Sequence, residues 1–529
     1  MALTPLFKTA NAPTGMAAVR SLVVGQFGRR PWQKMDIDTT NFDLVLERMA
    51  PNLDLHLANG DRVELQFNRL ADFQPSQLVE CSAYFIALRA AMQILRQRAS
   101  GAPESGDFAL LQAWVNWQES DQPDSQRLWL RYNELRALLE QAVAGVLAHP
   151  DYQVLERNWT LAHQLVSNLK ADQVQADQSE PHYRLTLLNL TKAHLVEDQS
   201  SVSNPAESQF YALVYGDELG QFGGVPYHLV SVQFELTDRA ADLELMRTLA
   251  VTASAAQCVM SLAIAPSLYQ DATLADEPLS QPRFFAWRAL MESTLSRYLM
   301  LTAGQYAYRA AHRFQNLASG IGFAEPLPAA HWAHLHIWHI YEFALSHLQV
   351  GTALASAQPC DLRPLQLRTW PDDAGRRDDE RLTPERQHIL ADLGINSCLT
   401  NEQRMAFAPR FQMRAGLVSL GPEYSHAQQD LHSELLLLQN QFARHLKVLI
   451  REGLGHGSPE EIKQMAQQWL QPFVQSPGLV SRSQWLRQPL ESAHLSWQND
   501  ERGGQLLNIE LSARLPDYDK AVELVLQWN

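Results

Sequence analysis

The chain has few cysteines, no cationic excess and no long uninterrupted apolar run, and each shortage removes a class of protein. Its four cysteines, Cys81, Cys258, Cys360 and Cys398, are scattered through 529 residues without CxxC spacing. That pattern excludes a disulfide scaffold and suits a reducing cytosol. Lys and Arg number 43 against 58 Asp and Glu, a formal charge of −15, so a phosphate backbone is repelled and nucleic acid is not an expected partner. The basic pairs Arg29-Arg30 and Arg376-Arg377 are too short to override that total and read as solvated surface. No stretch reaches the ~20 apolar residues of a membrane span. Leu249 to Leu268 comes nearest, is interrupted by Gln257 and Pro266, and predicts a buried helix. The opening MALTPLFKTANAPTG lacks a signal-peptide apolar core, so the expected location is the cytoplasm.

Catalytic signatures are missing too. There is no GxSxG, SxxK or HExxH, and the Gly220–Gly224 turn fits neither GxGxxG nor GxxxxGK[ST]. No enzyme activity and no cofactor are expected. The carboxylates of Asp372-Asp373 and Asp378-Asp379-Glu380 sit in a solvated charged run. His331, His334, His336 and His339 form a cluster, but at helical spacing they make two half-sites on different faces. A packing helix with Trp332 and Trp338 is the better expectation than a metal site. Arg444, His445, Lys447 and Arg451 form a basic helical stripe. Its simplest reading is a salt-bridged surface; the alternative is contact with an acidic face of another molecule.

What the chain does have is apolar material, 46% of residues against 19% charged, in alternating strand and helix patterns. The fold class is α/β, with mixed sheets flanked by helices. Leu53, Leu55 and Leu57 alternate with polar residues, as do Val63, Leu65 and Phe67, and Asn59-Gly60-Asp61 between them predicts a hairpin. Strands are expected at 16–27, 184–190, 210–215, 228–234 and 506–512. Helices are expected at 42–49, 76–98, 126–148, 152–169, 241–263, 287–299, 434–452 and 460–473. The Gly/Ser/Pro-rich stretch 99–107 and the polar break 121–125 bound a linker over 99–125, between a first domain, 1–98, and a longer region, 126–529, of two subdomains.

Several segments resemble, in order, the contractile sheath proteins of type VI secretion. Asp36-Ile37-Asp38, Asn41-Phe42-Asp43, Met49-Ala50-Pro51 and Leu70-Ala71-Asp72-Phe73-Gln74-Pro75 are similar to the small, TssB-type subunit. His149-Pro150-Asp151-Tyr152 with Trp159, Trp287-Arg288 with Glu292, Leu390-Ala391-Asp392-Leu393-Gly394 and Gln441-Phe442-Ala443-Arg444 are similar to the large, TssC-type subunit. The most specific piece runs from Leu213 to Tyr227, where Tyr215, Glu218, Gly220, Phe222, Gly223, Gly224, Pro226 and Tyr227 match the family's run. The resemblance implies a bacterial structural subunit in which small and large halves are joined. It also implies assembly with copies of itself around an inner tube of hexameric protein, contact with baseplate components, and recycling by an AAA+ unfoldase. Sheaths of this kind link subunits by added strands, so Leu22, Val23 and Val24, and Leu507, Ile509 and Leu511, are candidate inter-subunit strands. Pairing within the chain is the alternative for both. The family's Gly-Asp-Tyr is replaced by Ser231-Val232-Gln233, and its acidic run by Glu292-Ser293-Thr294-Leu295-Ser296. These departures keep open a sheath-like cap, baseplate adaptor or regulator, and beyond it an enzyme or metal-binding effector.

Overall fold

Val19–Gly25 (β1) is buried at every residue but Arg20, as a strand covered on both sheet faces must be. The computed structural model describes residues 19–101, 114, 125–175, 183–269, 280–309, 312–316, 321–325, 332–334, 336, 367–368, 386, 389–390, 392–401, 404–407, 433–453, 458–475, 488–499, 505–513 and 522–528. After β1 come β2 (Gln33–Ile37), helix α1 (Phe42–Met49), the antiparallel hairpin β3 (Asn52–His56) and β4 (Arg62–Gln66), and helix α2 (Ala83–Ala99). Helices α3 (Ser125–Ala148) and α4 (Pro150–Gln175) follow, then β5 (Tyr183–Asn189), α5 (Lys192–Ser200), β6 (Leu229–Leu236), α6 (Ala240–Ala256), β7 (Val259–Ile264), α7 (Phe285–Glu292) and β8 (Leu299–Ala303). The short strands β9 (Gln305–Ala307), β10 (Arg313–Asn316), β11 (Ile321–Ala324), β12 (Trp332–His334) and β13 (Leu367–Arg368) lead to β14 (Ile395–Asn401) and β15 (Arg404–Phe407). Last come α8 (Ser433–Gly453), α9 (Pro459–Leu470), β16 (Leu490–Asn499), β17 (Gln505–Ala513) and β18 (Val522–Trp528).

Nine strands form one sheet in the order β13-β15-β14-β8-β7-β6-β1-β5-β2. Its middle, from β14 to β5, is parallel, and antiparallel strands finish both ends. β1 lies between β5 and β6, with Leu22 beside Thr186 on one side and Val230 on the other. The first region therefore does not stand beside the second; its first strand runs through the middle of the second region's sheet. One core joins them. Trp159 on α4 meets Phe27 and Phe42 edge-on, and its indole N–H donates to the Phe27 carbonyl at 2.9 Å. Tyr152 donates to the Phe73 carbonyl at 2.5 Å. A second, separate core lies between α8, α9 and the three-stranded sheet β16-β17-β18, around Phe442, Leu446, Ile462 and Leu507.

The hairpin is as expected: Leu53, Leu55, Val63 and Leu65 are buried while Asp54 and Glu64 face water. Four expected elements are corrected. The 210–215 stretch is not a strand but a helical turn that widens to π geometry over Ala212–Gly216. Asp198 accepts from the Gln209 and Phe210 amides, and Ser208 from that of Tyr211, so side chains start a helix where a short apolar run is ambiguous by period. The helix expected over 241–263 stops at Ala256, and the rest is the buried strand β7. Its stop is Gln257, in the left-handed region at φ 51°, where a glycine is the usual signal. The helix expected at 287–299 ends at Glu292, and Leu299 opens β8. The helix expected at 76–98 is broken before Ser82, whose hydroxyl caps α2 at the Tyr84 amide. Most of the 99–125 linker lies outside the described residues, although Ala99 closes α2 and Ser125 opens α3.

Candidate assembly site

The turn from Tyr215 to Tyr227 is held by two carboxylates, Glu218 and Glu452, and three cations, Arg20, Lys34 and Arg451. Glu218 is nearly buried and accepts from Arg20 Nη1 at 2.5 Å and from Lys34 Nζ at 2.9 Å. Burial alone pushes its carboxyl up; the bonds and charges of Arg20 and Lys34 outweigh that and hold it below 4.5. Arg20 also lies over the Tyr227 ring at 4.4 Å and reaches the Val225 carbonyl. From the other side Arg451 on α8 donates to the carbonyls of Glu218, Leu219 and Gly224, each at 3.0 Å. Glu452 accepts from the Gly223 amide at 3.0 Å.

Glycine is required here for space. A Cβ on Gly224 would lie 2.2 Å from the Glu218 carbonyl oxygen, and one on Gly220 2.8 Å from that of Gly216. Gly223 has φ +74°. A phosphate cradle needs converging amides, whereas this loop turns three carbonyls onto a cation. Phe222 at its tip is 63% exposed. Pro226 separates the Arg20-bound Val225 carbonyl from buried Tyr227.

Comparison with known proteins shows which families these regions are similar to. Residues 131–351 match the VipB family, described as the EvpB-type tail sheath N-terminal domain. Residues 29–108 match the type VI secretion system VipA family. Both matches fall in one chain. A relative, the type VI secretion system sheath protein TssC1 of Pseudomonas aeruginosa, is 23% identical over 395 residues, covering 68% of this chain and 77% of its own length.

The candidate inter-subunit strands pair within the chain, the alternative left open for both. Leu22, Val23 and Val24 are flanked on both sides by strands of the same chain. Leu507, Ile509 and Leu511 lie in β17, between β16 and β18. Neither strand has a free edge, because each is the middle of its sheet; the strand period cannot report which strand is central.

The basic stripe is also relocated. Arg444, His445 and Arg451 are buried, and Arg444, Lys447 and Arg451 reach backbone of the chain's own sheet domain while His445 faces α9. Arg444 donates to the Gln257 carbonyl and Lys447 to that of Ala255, at 3.2 Å. Both carbonyls are at the C-terminal end of α6, where a helix leaves acceptors unmet and its dipole favours cations. His445 stacks on Trp469 at 5.6 Å. Of the histidine cluster, His334 is in a strand, not a helix, and bonds Glu235 at 2.8 Å. His331 and His339 lie outside the described residues, among which no group of metal-binding side chains occurs. Burial pushes the Cys81 and Cys258 thiols up to about 12, so neither is a thiolate at neutral pH. No helix among the described residues is long and apolar enough to cross a membrane.

One charged centre went unread in the sequence. Arg309 makes two-pronged contacts with Glu156, at 2.7 and 3.0 Å, and Glu325, at 2.8 and 3.2 Å. Tyr308 also donates to Glu156, at 2.8 Å. These residues come from distant segments, and no spacing rule connects them.

Proposed function

We propose that this chain is a structural, non-enzymatic subunit of a type VI secretion sheath, each copy supplying both the small-type and the large-type regions. The observation that carries the reading is β1: the first region contributes a central strand to the second region's sheet, so the two act as one body. Assembly is with copies of itself in the bacterial cytoplasm, around an inner tube of hexameric rings, with baseplate components at one end and an AAA+ unfoldase for recycling. With β1 and β17 occupied, strand addition between copies falls to the outer edges of β16 and β18, which pair with no further named strand among the described residues. Negative-stain microscopy of purified protein, with and without the tube protein, is the test. Tubes of regular diameter are the expected result. Protein that stays monomeric in every condition sinks the proposal, and a single added layer that stops growth replaces it with the cap reading.

A further inference from the structure

The two cores meet along a seam unlike either of them. Helix α8 is two-sided: Phe442, Leu446 and Ile450, four residues apart, face its own module's core. Arg444, Lys447, Val448 and Arg451, three or four residues apart, face the nine-stranded domain. Among the described residues the apolar contact across this seam is one small cluster, Val448 against Leu219 and Tyr215. The rest is directional. Three cations reach backbone carbonyls, at the end of α6 and on the glycine turn, and Glu452 answers with the Gly223 amide. The acceptors are themselves unusual backbone. Gln257 is held left-handed, and the turn contains glycines that admit no side chain.

We propose that α8, α9 and β16–β18 form a separable arm, latched to the nine-stranded domain by these cations and released as a folded unit when the Gly220–Gly224 catch opens. Two features favour release as a unit. The arm keeps its own apolar core when the seam parts, and among the described residues the seam is made mostly of hydrogen bonds, which water replaces. The inference stands whether or not the chain forms tubes.

Native-state hydrogen exchange of the full chain across a low urea series tests it. The amides of Gly220, Gly224 and Cys258, which border the seam, are expected to open at lower urea than those of Ile509 and Leu511 in β17 or Leu187 in β5. Arg451→Met is expected to speed seam exchange at least tenfold and leave β17 and β5 unchanged. Joint opening of seam, β17 and β5 in one transition overturns the proposal, as does a seam that Arg451→Met leaves within twofold of the parent. Should Arg451→Met fail to fold, the urea series on the parent chain decides alone, and Lys447→Met, which removes the Ala255 contact, gives the graded version.

Discussion

At the residue scale, buried charge makes the sharpest demands. Arg309 neutralises two carboxylates, Glu156 and Glu325, that are almost completely inaccessible. Removing one partner of such a group leaves the others charged and unsolvated, which costs several kcal/mol. Arg309→Met is therefore expected to destabilise the chain by about 3 kcal/mol, read as a lower urea midpoint. Glu218 ties Arg20 and Lys34 to the glycine turn, and its carboxyl is held below 4.5 in the folded state. A depressed carboxyl adds stability at pH values above its unfolded pKa, and that stability is lost as pH falls through the folded value. Glu218→Gln should flatten the acid limb of a stability-versus-pH curve below 4.5, and a curve that keeps its shape refutes the assignment. His445 supplies the limb above it. Burial pushes its ring down to about 4 from 6.5, so the unfolded chain binds the extra proton. Stability is then full above 6.5 and falls as pH drops towards 4. His445→Gln should remove that slope in urea melts run at intervals across the window.

At the element scale, the glycine turn and the end of α6 are a matched pair, both gripped by α8. The turn's glycines differ in kind, and that gives a graded prediction. At Gly224 an added methyl meets the Glu218 and Asp217 carbonyl oxygens, at 2.2 and 2.6 Å, so backbone must move. At Gly223 there is open space, and the penalty is only the left-handed φ. Gly224→Ala is expected to cost about 2–3 kcal/mol and Gly223→Ala about 1 kcal/mol, measured by thermal or urea unfolding. The reverse order would show that the turn is not built as described. Much at this scale was legible beforehand. The hairpin, α1, α3, α4 and α8 follow from clear periods. The failures at 210–215 and 241–263 share a cause: Asp198 caps a turn from another element, and Gln257 stops a helix without glycine.

At the scale of the whole molecule, the first region is threaded through the second rather than strung before it. Substitutions in β1 should therefore weaken both. Val23→Asp puts a charge beside Leu187 and Ser231 in the fully buried centre of the sheet, with a carboxylate desolvation cost of several kcal/mol. The expected outcome is loss of the folded nine-stranded domain, seen as a sharply reduced near-ultraviolet circular dichroism signal. A chain in which residues 126–529 stay folded would contradict the shared core. The C-terminal module, with its own core, is the part expected to retain protection longest.

Sequence alone determined the α/β class, most helices, the hairpin, the absence of catalytic signatures and the likeness to two sheath subunits. These depend on local period, caps and runs of neighbouring residues, all written in order along the chain. It could not say that β1 and β17 are central strands, that the basic stripe of α8 faces inward, or that Arg309 joins two distant carboxylates. Strand order, the partner of a cation and the burial of a helix face are set by which segments meet in space. The same alternating or charged pattern serves either answer until the tertiary structure supplies the neighbour.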